Sequence, residues 1–117
     1  MEMKDAIAAL SALAQDTRLS VFRLLVVAGP DGIPAGEIAT AMDAPANTIS
    51  THLSILAAAG LVRSQREGRS IRYFARMEGM TALLIFLLRD CCRGNPDLCL
   101  PLTDHLSQAL CGPKDAP

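Results

Sequence analysis

Three of the chain's four cysteines fall within nine residues, in the stretch Asp90-Cys91-Cys92-Arg93-Gly94-Asn95-Pro96-Asp97-Leu98-Cys99. Thiolate sulfur is a soft ligand and selects soft, thiophilic ions. Adjacent side chains on a helix diverge, so Cys91 and Cys92 would not converge on one ion along a straight helix. Gly94-Asn95-Pro96 breaks a helix and folds the chain back, which would bring Cys99 toward the pair. Three thiolates around one centre suit trivalent arsenic or antimony, whose three bonds to sulfur are pyramidal. Other readings of the same residues remain open. Tetrahedral zinc would recruit Cys111 or His105 as a fourth ligand, although the usual Cys-x-x-Cys spacing is missing. Cysteines can simply be buried, or Cys99 can close a disulfide with one of the pair as a redox switch.

A second constellation is made for contact rather than bonding. From Pro45 to Val62, Ile49, Leu53 and Leu56 recur at the spacing of one helix face. The remaining positions carry Asn47, Thr48, Ser50, Thr51 and Ser54, short polar groups that can approach phosphates and base edges. His52 lies in the same segment and either touches a phosphate or packs over the adjoining turn. Pro45 suits a helix entrance and Gly60 a helix end. Next come Arg63, Arg66, Arg69, Arg72 and Arg76, five of the eleven basic residues within fourteen positions. The segment reads as a DNA-recognition helix followed by a wing, with Arg66, Arg69 and Arg72 at or near the wing tip. The plain alternative is an amphipathic surface helix beside a solvated charged hairpin.

Several elements must hold these residues. Residues 4–14 predict a first helix with Ile7, Leu10, Leu13 and Ala14 on one side. Asp16 is expected to cap a second helix whose core face is Leu19, Phe22, Leu25 and Val26, with Arg18 and Arg23 on or near its outer side. Gly29 to Pro34 reads as a loop. A short helix over 35–42 turns Ile38 and Met42 inward, and Asp43-Ala44 makes the tight turn of a helix-turn-helix. Residues 61–66 and 70–76 form a hairpin around Glu67-Gly68-Arg69, with Ile71 and Tyr73 on one face and Arg72 and Phe74 on the other. A last long helix over 79–91 is apolar nearly all round, which a small monomer cannot cover. The expected fold is therefore mainly α with a β-hairpin wing, a winged helix-turn-helix made homodimeric through its first and last long helices. A two-fold axis would set two recognition helices ~34 Å apart, one turn of duplex.

The chain has 117 residues and a net charge of −1, so any affinity for nucleic acid must come from local charge. One domain is expected over 1–111, with a flexible tail over 112–117. The charged start carries no signal-peptide pattern, and Leu83 to Leu88 is too short an apolar run to cross a bilayer. A soluble, cytoplasmic protein with reduced thiols and no membrane contact follows. Catalysis is not expected: a thiol-based arsenate reductase would need Cys-x5-Arg or Cys-x-x-Cys, and neither occurs. No organic cofactor is implied.

These features together resemble the ArsR/SmtB family of small winged-helix, metal-responsive repressors. The resemblance runs from about Asp5 to Cys99. It is carried by Ala14-Gln15-Asp16-Thr17-Arg18-Leu19, by Pro45 to Leu53 with Ser50-Thr51-His52-Leu53, by Ala59-Gly60-Leu61-Val62, and by Arg66-Glu67-Gly68-Arg69 with Tyr73. It implies a dimeric repressor that holds double-stranded operator DNA and releases it when inducer binds. Inducer sites differ within the family. A type with a cysteine pair before the recognition helix is absent, because that helix reads Glu37-Ile38-Ala39-Thr40-Ala41-Met42. The closing-helix zinc type does not match, since only Asp90 and His105 are available there. The vicinal pair followed by a third cysteine looks like the arsenite site of a subset of the family. On that resemblance Cys91, Cys92 and Cys99 bind As(III) or Sb(III) as inducer. A zinc- or thiol-redox-responsive repressor of the same fold is the alternative.

Overall fold

The computed structural model describes residues 1–89 and 96–111, the latter with side chains at 101, 102 and 104–110. In chain order the elements are α1 (Met3–Leu13), α2 (Asp16–Ala28), a 3-10 turn (Gly29–Asp31), β1 (Ile33–Pro34), α3 (Ala35–Met42), α4 (Ala46–Ala58), β2 (Val62–Glu67), β3 (Ser70–Ala75), α5 (Met77–Leu88) and α6 (Pro96–Cys111). Contacts divide the chain into two compact units, 1–86 and 87–117.

The core of the first unit is aliphatic, as a chain without Trp must make it. Val21, Leu25, Ile38, Ile49, Leu53, Leu56 and Leu61 are its largest fully buried side chains. They come from α2, α3, α4 and the segment after α4, so the helix-turn-helix is built directly on this core. The first two helices use it differently from expectation. In α1 the buried residues are Ala6, Ala9 and Ala12, while Ile7 and Leu10 are exposed. Small side chains let α1 lie close to the core, and its bulky stripe points away. In α2 the core residues are Val21, Phe22 and Leu25, whereas Leu19 and Val26 are exposed. The α2 cap is also shifted: Gln15, not Asp16, is the capping residue, and its side-chain oxygen accepts the Arg18 N–H at 2.8 Å. That bond satisfies one of the donors left over at any helix start.

The turn between α3 and α4 is closed by Asp43 in a left-handed conformation, with φ 51°. Aspartate is one of the few non-glycine residues that visits this region readily. Helix α4 ends as expected. Gly60 has φ 79°, its N–H donates to Ala57, and the Leu61 N–H donates to Leu56, both at 3.0 Å. This pair of bonds is the Schellman arrangement. A side chain at Gly79 would run into the Gly60 carbonyl, so the start of α5 sits directly on this cap.

The wing is a three-stranded antiparallel sheet in the order β1-β3-β2. Its third strand is an addition to the expected hairpin: Ile33 pairs with Tyr73 and Pro34 with Arg72. Proline is tolerated there because β1 is an edge strand. On the other side Val62 pairs with Ala75 and Glu67 with Ser70. Only Gly68 and Arg69 remain in the turn, and Gly68 takes the positive φ of 63° that two-residue hairpins favour.

Helix α5 stops at Leu88. The expected continuation to Cys91 falls outside the described residues, as do the Gly94-Asn95 break and the tail 112–117. The second unit contains α6, sixteen residues long with Pro101 inside it. Its apolar residues Leu98, Leu102, Leu106 and Leu110 recur every four positions, a helical signal obscured by two prolines and by the cysteines.

Candidate nucleic-acid interface and the cysteine segment

Helix α4 divides its residues as a recognition helix needs. Ile49, Leu53 and Leu56 are buried, and Asn47, Thr48, Ser50, Thr51 and Ser54 are all exposed. Some of the polar groups are already engaged locally. The Asn47 Oδ1 accepts the Thr48 N–H at 3.0 Å, and the Thr51 hydroxyl donates to the Asn47 carbonyl at 3.1 Å. The Asn47 amide N–H2 and the hydroxyls of Thr48, Ser50 and Ser54 carry no such bond among the described residues. Those groups are the ones able to meet phosphate oxygens or base-edge acceptors without first breaking a bond.

His52 does not belong to that outward set. It is half-buried, and its Nδ1 lies 3.4 Å from Nη1 of Arg18. Arg18 is likewise half-buried rather than on the outer side of α2, and its Nε donates to the Ala12 carbonyl at 2.7 Å. Nothing in the sequence pattern pointed to this contact, because the two residues are 34 positions apart.

The wing arginines split into two groups. Arg66 and Arg69 are exposed and make no hydrogen bond or ion pair among the described residues. The other three are occupied. The Arg63 guanidinium lies 4.1 Å from the centre of the Phe74 ring, a cation–π stack on a buried aromatic. Arg72 bonds the Glu67 carboxylate through Nε at 3.0 Å and the Asp31 carbonyl through Nη1 at 3.0 Å. It thereby fastens β3 to the 3-10 turn. Arg76 lies 3.8 Å from the Glu78 carboxylate. Of the expected contacts, the structure thus presents Arg66 and Arg69 at the surface and commits Arg72 to bracing the wing.

The cysteine segment is placed only in part. Cys91 and Cys92 lie outside the described residues. Cys99 lies on α6 near its start and Cys111 is its last residue; neither side chain is described. His105 is exposed on α6. Among the described residues no group of three His, Cys, Asp or Glu side chains could hold a metal ion. No helix among them is long and apolar enough to cross a membrane.

A core-mounted helix-turn-helix with a three-stranded wing defines a winged helix-turn-helix protein. Residues 13–65 match a helix-turn-helix domain family model. The chain is 30% identical over 89 residues to the HTH-type transcriptional regulator YgaV of Escherichia coli, a match covering 76% of this chain and 88% of the relative. It is 38% identical over 78 residues to a Halobacterium salinarum protein named as an arsenical resistance operon repressor, ArsR. That match covers 67% of this chain and 59% of the relative, so the chain spans less than two thirds of the latter's length. Among solved structures, a homodimeric winged helix-turn-helix DNA-binding domain from Mycobacterium bovis superposes with a TM-score of 0.60 at 26% identity, covering 91% of this chain and 85% of that one. The chain belongs to the ArsR family of winged helix-turn-helix transcriptional regulators.

Proposed function

We propose that this protein is a homodimeric repressor that binds double-stranded operator DNA in the cytoplasm and releases it on binding trivalent arsenic or antimony. The observation that carries the DNA half is the exposed polar face of α4, which adjoins a wing whose Arg66 and Arg69 are unpaired among the described residues. Phosphate contacts from the arginines would supply sequence-independent affinity, and Asn47, Thr48, Ser50 and Ser54 would read base edges. The dimer is supported by apolar residues left uncovered on α1 and α5 and by the homodimeric relative of the same fold. The reading assigns no enzymatic step.

The inducer half rests on the sequence. Cys91, Cys92 and Cys99 are three soft ligands within nine residues, and the Halobacterium relative is named for arsenical resistance. Binding must differ in free energy between the DNA-bound and released dimers, or it shifts nothing. A tenfold loss of operator affinity needs only about 1.4 kcal/mol of coupling. The test uses a duplex that the protein itself enriches from a random-sequence pool, titrated with arsenite and with antimonite under reducing conditions. The parent should release the duplex. Cys91→Ser, Cys92→Ser and Cys99→Ser should each bind it and fail to release it, while Cys111→Ser should behave as the parent. A Cys99→Ser protein that lets go at the parent's arsenite concentration would rule out the three-thiol site.

A further inference from the structure

We propose that Arg18 is the residue that positions the recognition helix for sequence reading, acting through His52. This rests on the DNA-binding reading and goes beyond it, because Arg18 is on α2 and lies outside the exposed reading face. Arg18 stands where three helices meet. Its backbone N–H is tied to the Gln15 side chain, which fixes the start of α2. Its Nε donates to the Ala12 carbonyl in the last turn of α1, one of the acceptors a helix end leaves unmatched. Its Nη1 meets Nδ1 of His52 on α4. One planar guanidinium therefore contacts both the α1 end and the recognition helix. An ammonium on a flexible stem cannot reproduce that fork.

His52 is placed to transmit this. It flanks the buried stripe of Ile49, Leu53 and Leu56, next in sequence to the exposed Thr51. A guanidinium only donates, so Nδ1 is the accepting atom of this contact and the orientation of the ring follows from Arg18. The apolar stripe sets how deep α4 lies. The directional contact at His52 adds to this stripe a constraint on rotation about the helix axis. Rotation is what determines which of Asn47, Ser50 and Ser54 meets a given base edge. Phosphate contacts from Arg66 and Arg69 come from the wing and do not depend on that rotation.

The experiment compares the duplex enriched by the parent with random duplex of equal length. Arg18→Lys should lose about tenfold in affinity for the enriched duplex, the net worth of roughly one hydrogen bond. Its affinity for random duplex and its salt slope should stay those of the parent. In a His52→Ala background, Arg18→Lys should cost less than about twofold more, since the partner is already gone. His52→Asn, which keeps an acceptor at the δ position, should retain more discrimination than His52→Ala. Equal losses on both duplexes, independent effects of the two substitutions, or an unchanged Arg18→Lys protein would each overturn the proposal. Should Arg18→Lys fail to fold by circular dichroism, the His52→Asn and His52→Ala pair decides: equal discrimination by the two overturns it. A parent that enriches no duplex would overturn the DNA-binding reading as well, whereas a binding parent with an indifferent Arg18→Lys removes this inference alone.

Discussion

Helices α4 and α5 are both rich in aliphatic residues, and the fold treats them in opposite ways. In α4 every residue of the apolar stripe is buried: Ile49 at 1%, Leu53 and Leu56 at 0% exposure. In α5 only Leu83 reaches that state, at 2%, while Leu84, Ile85 and Leu87 stand at 43, 54 and 50%. The difference follows from pattern. A stripe one face wide can be covered by one layer of neighbours, and α1, α2 and α3 provide it. A helix apolar all round needs cover on every side, and a unit of this size has only enough chain for one. Helix α1 repeats the lesson on a smaller scale, with three alanines inward and Met3, Ile7 and Leu10 outward. Apolar character thus marks what must be buried, but the width of the stripe decides whether this chain alone can bury it.

Leucine-to-alanine changes in the two helices put that contrast to work. Leu53→Ala removes a fully buried side chain and should cost about 2–5 kcal/mol in urea unfolding, independent of protein concentration. Leu84→Ala should cost much less within a single chain. If Leu84 faces a second copy, its effect should instead appear as a dimer dissociation constant higher than the parent's, read by light scattering on dilution. An equally large, concentration-independent loss at Leu84 would place it in a monomer core and erase the distinction. A charge is the sharper tool. Leu84→Glu should leave the helical circular dichroism intact and shift the light-scattering mass from two chains to one. A two-chain mass for that variant would show that α5 does not carry the interface.

How far the sequence reveals this depends on which physics decides each residue. The α4 stripe, its Gly60 end and the Gly68 turn are readable because local chemistry settles them: periodicity, a positive φ, a two-residue loop. The choice of Val21 over Leu19 and Val26 in α2 is not local, since adjacent positions on one helix are equally apolar and only the neighbouring helices select among them. Strand β1 is two residues long and exists only by pairing with β3, some forty positions later. Arg18 looks like a surface cation in any helical projection, and its inward turn depends on a carbonyl from α1 and a ring from α4. Arg72 likewise could not be told from Arg69 by type or spacing. The described residues place the exposed polar face of α4 and the wing tip, and leave the Cys91-Cys92 pair to chemistry alone.

The same split among wing arginines yields the smallest effects and the finest test. Exposed Arg66 and Arg69 hold no partner among the described residues, so each has nothing to give up on meeting a phosphate. Arg66→Ala and Arg69→Ala should each lower affinity for enriched and random duplex by a similar factor. Each should also flatten the dependence of log affinity on log salt by about 0.9, the share of one released counterion. Arg72 already donates to Glu67 and to the Asp31 carbonyl. Its Ala variant should leave the salt slope nearly unchanged. The partly exposed ion pair with Glu67 adds little by itself, so the loss should be that of the bond to the Asp31 carbonyl, ~1 kcal/mol of stability. Binding would weaken only as far as the wing loosens from the 3-10 turn. A slope change at Arg72 as large as at Arg69 would mean that Arg72 exchanges its internal partners for phosphate on the duplex, and that the wing is rebuilt when it binds.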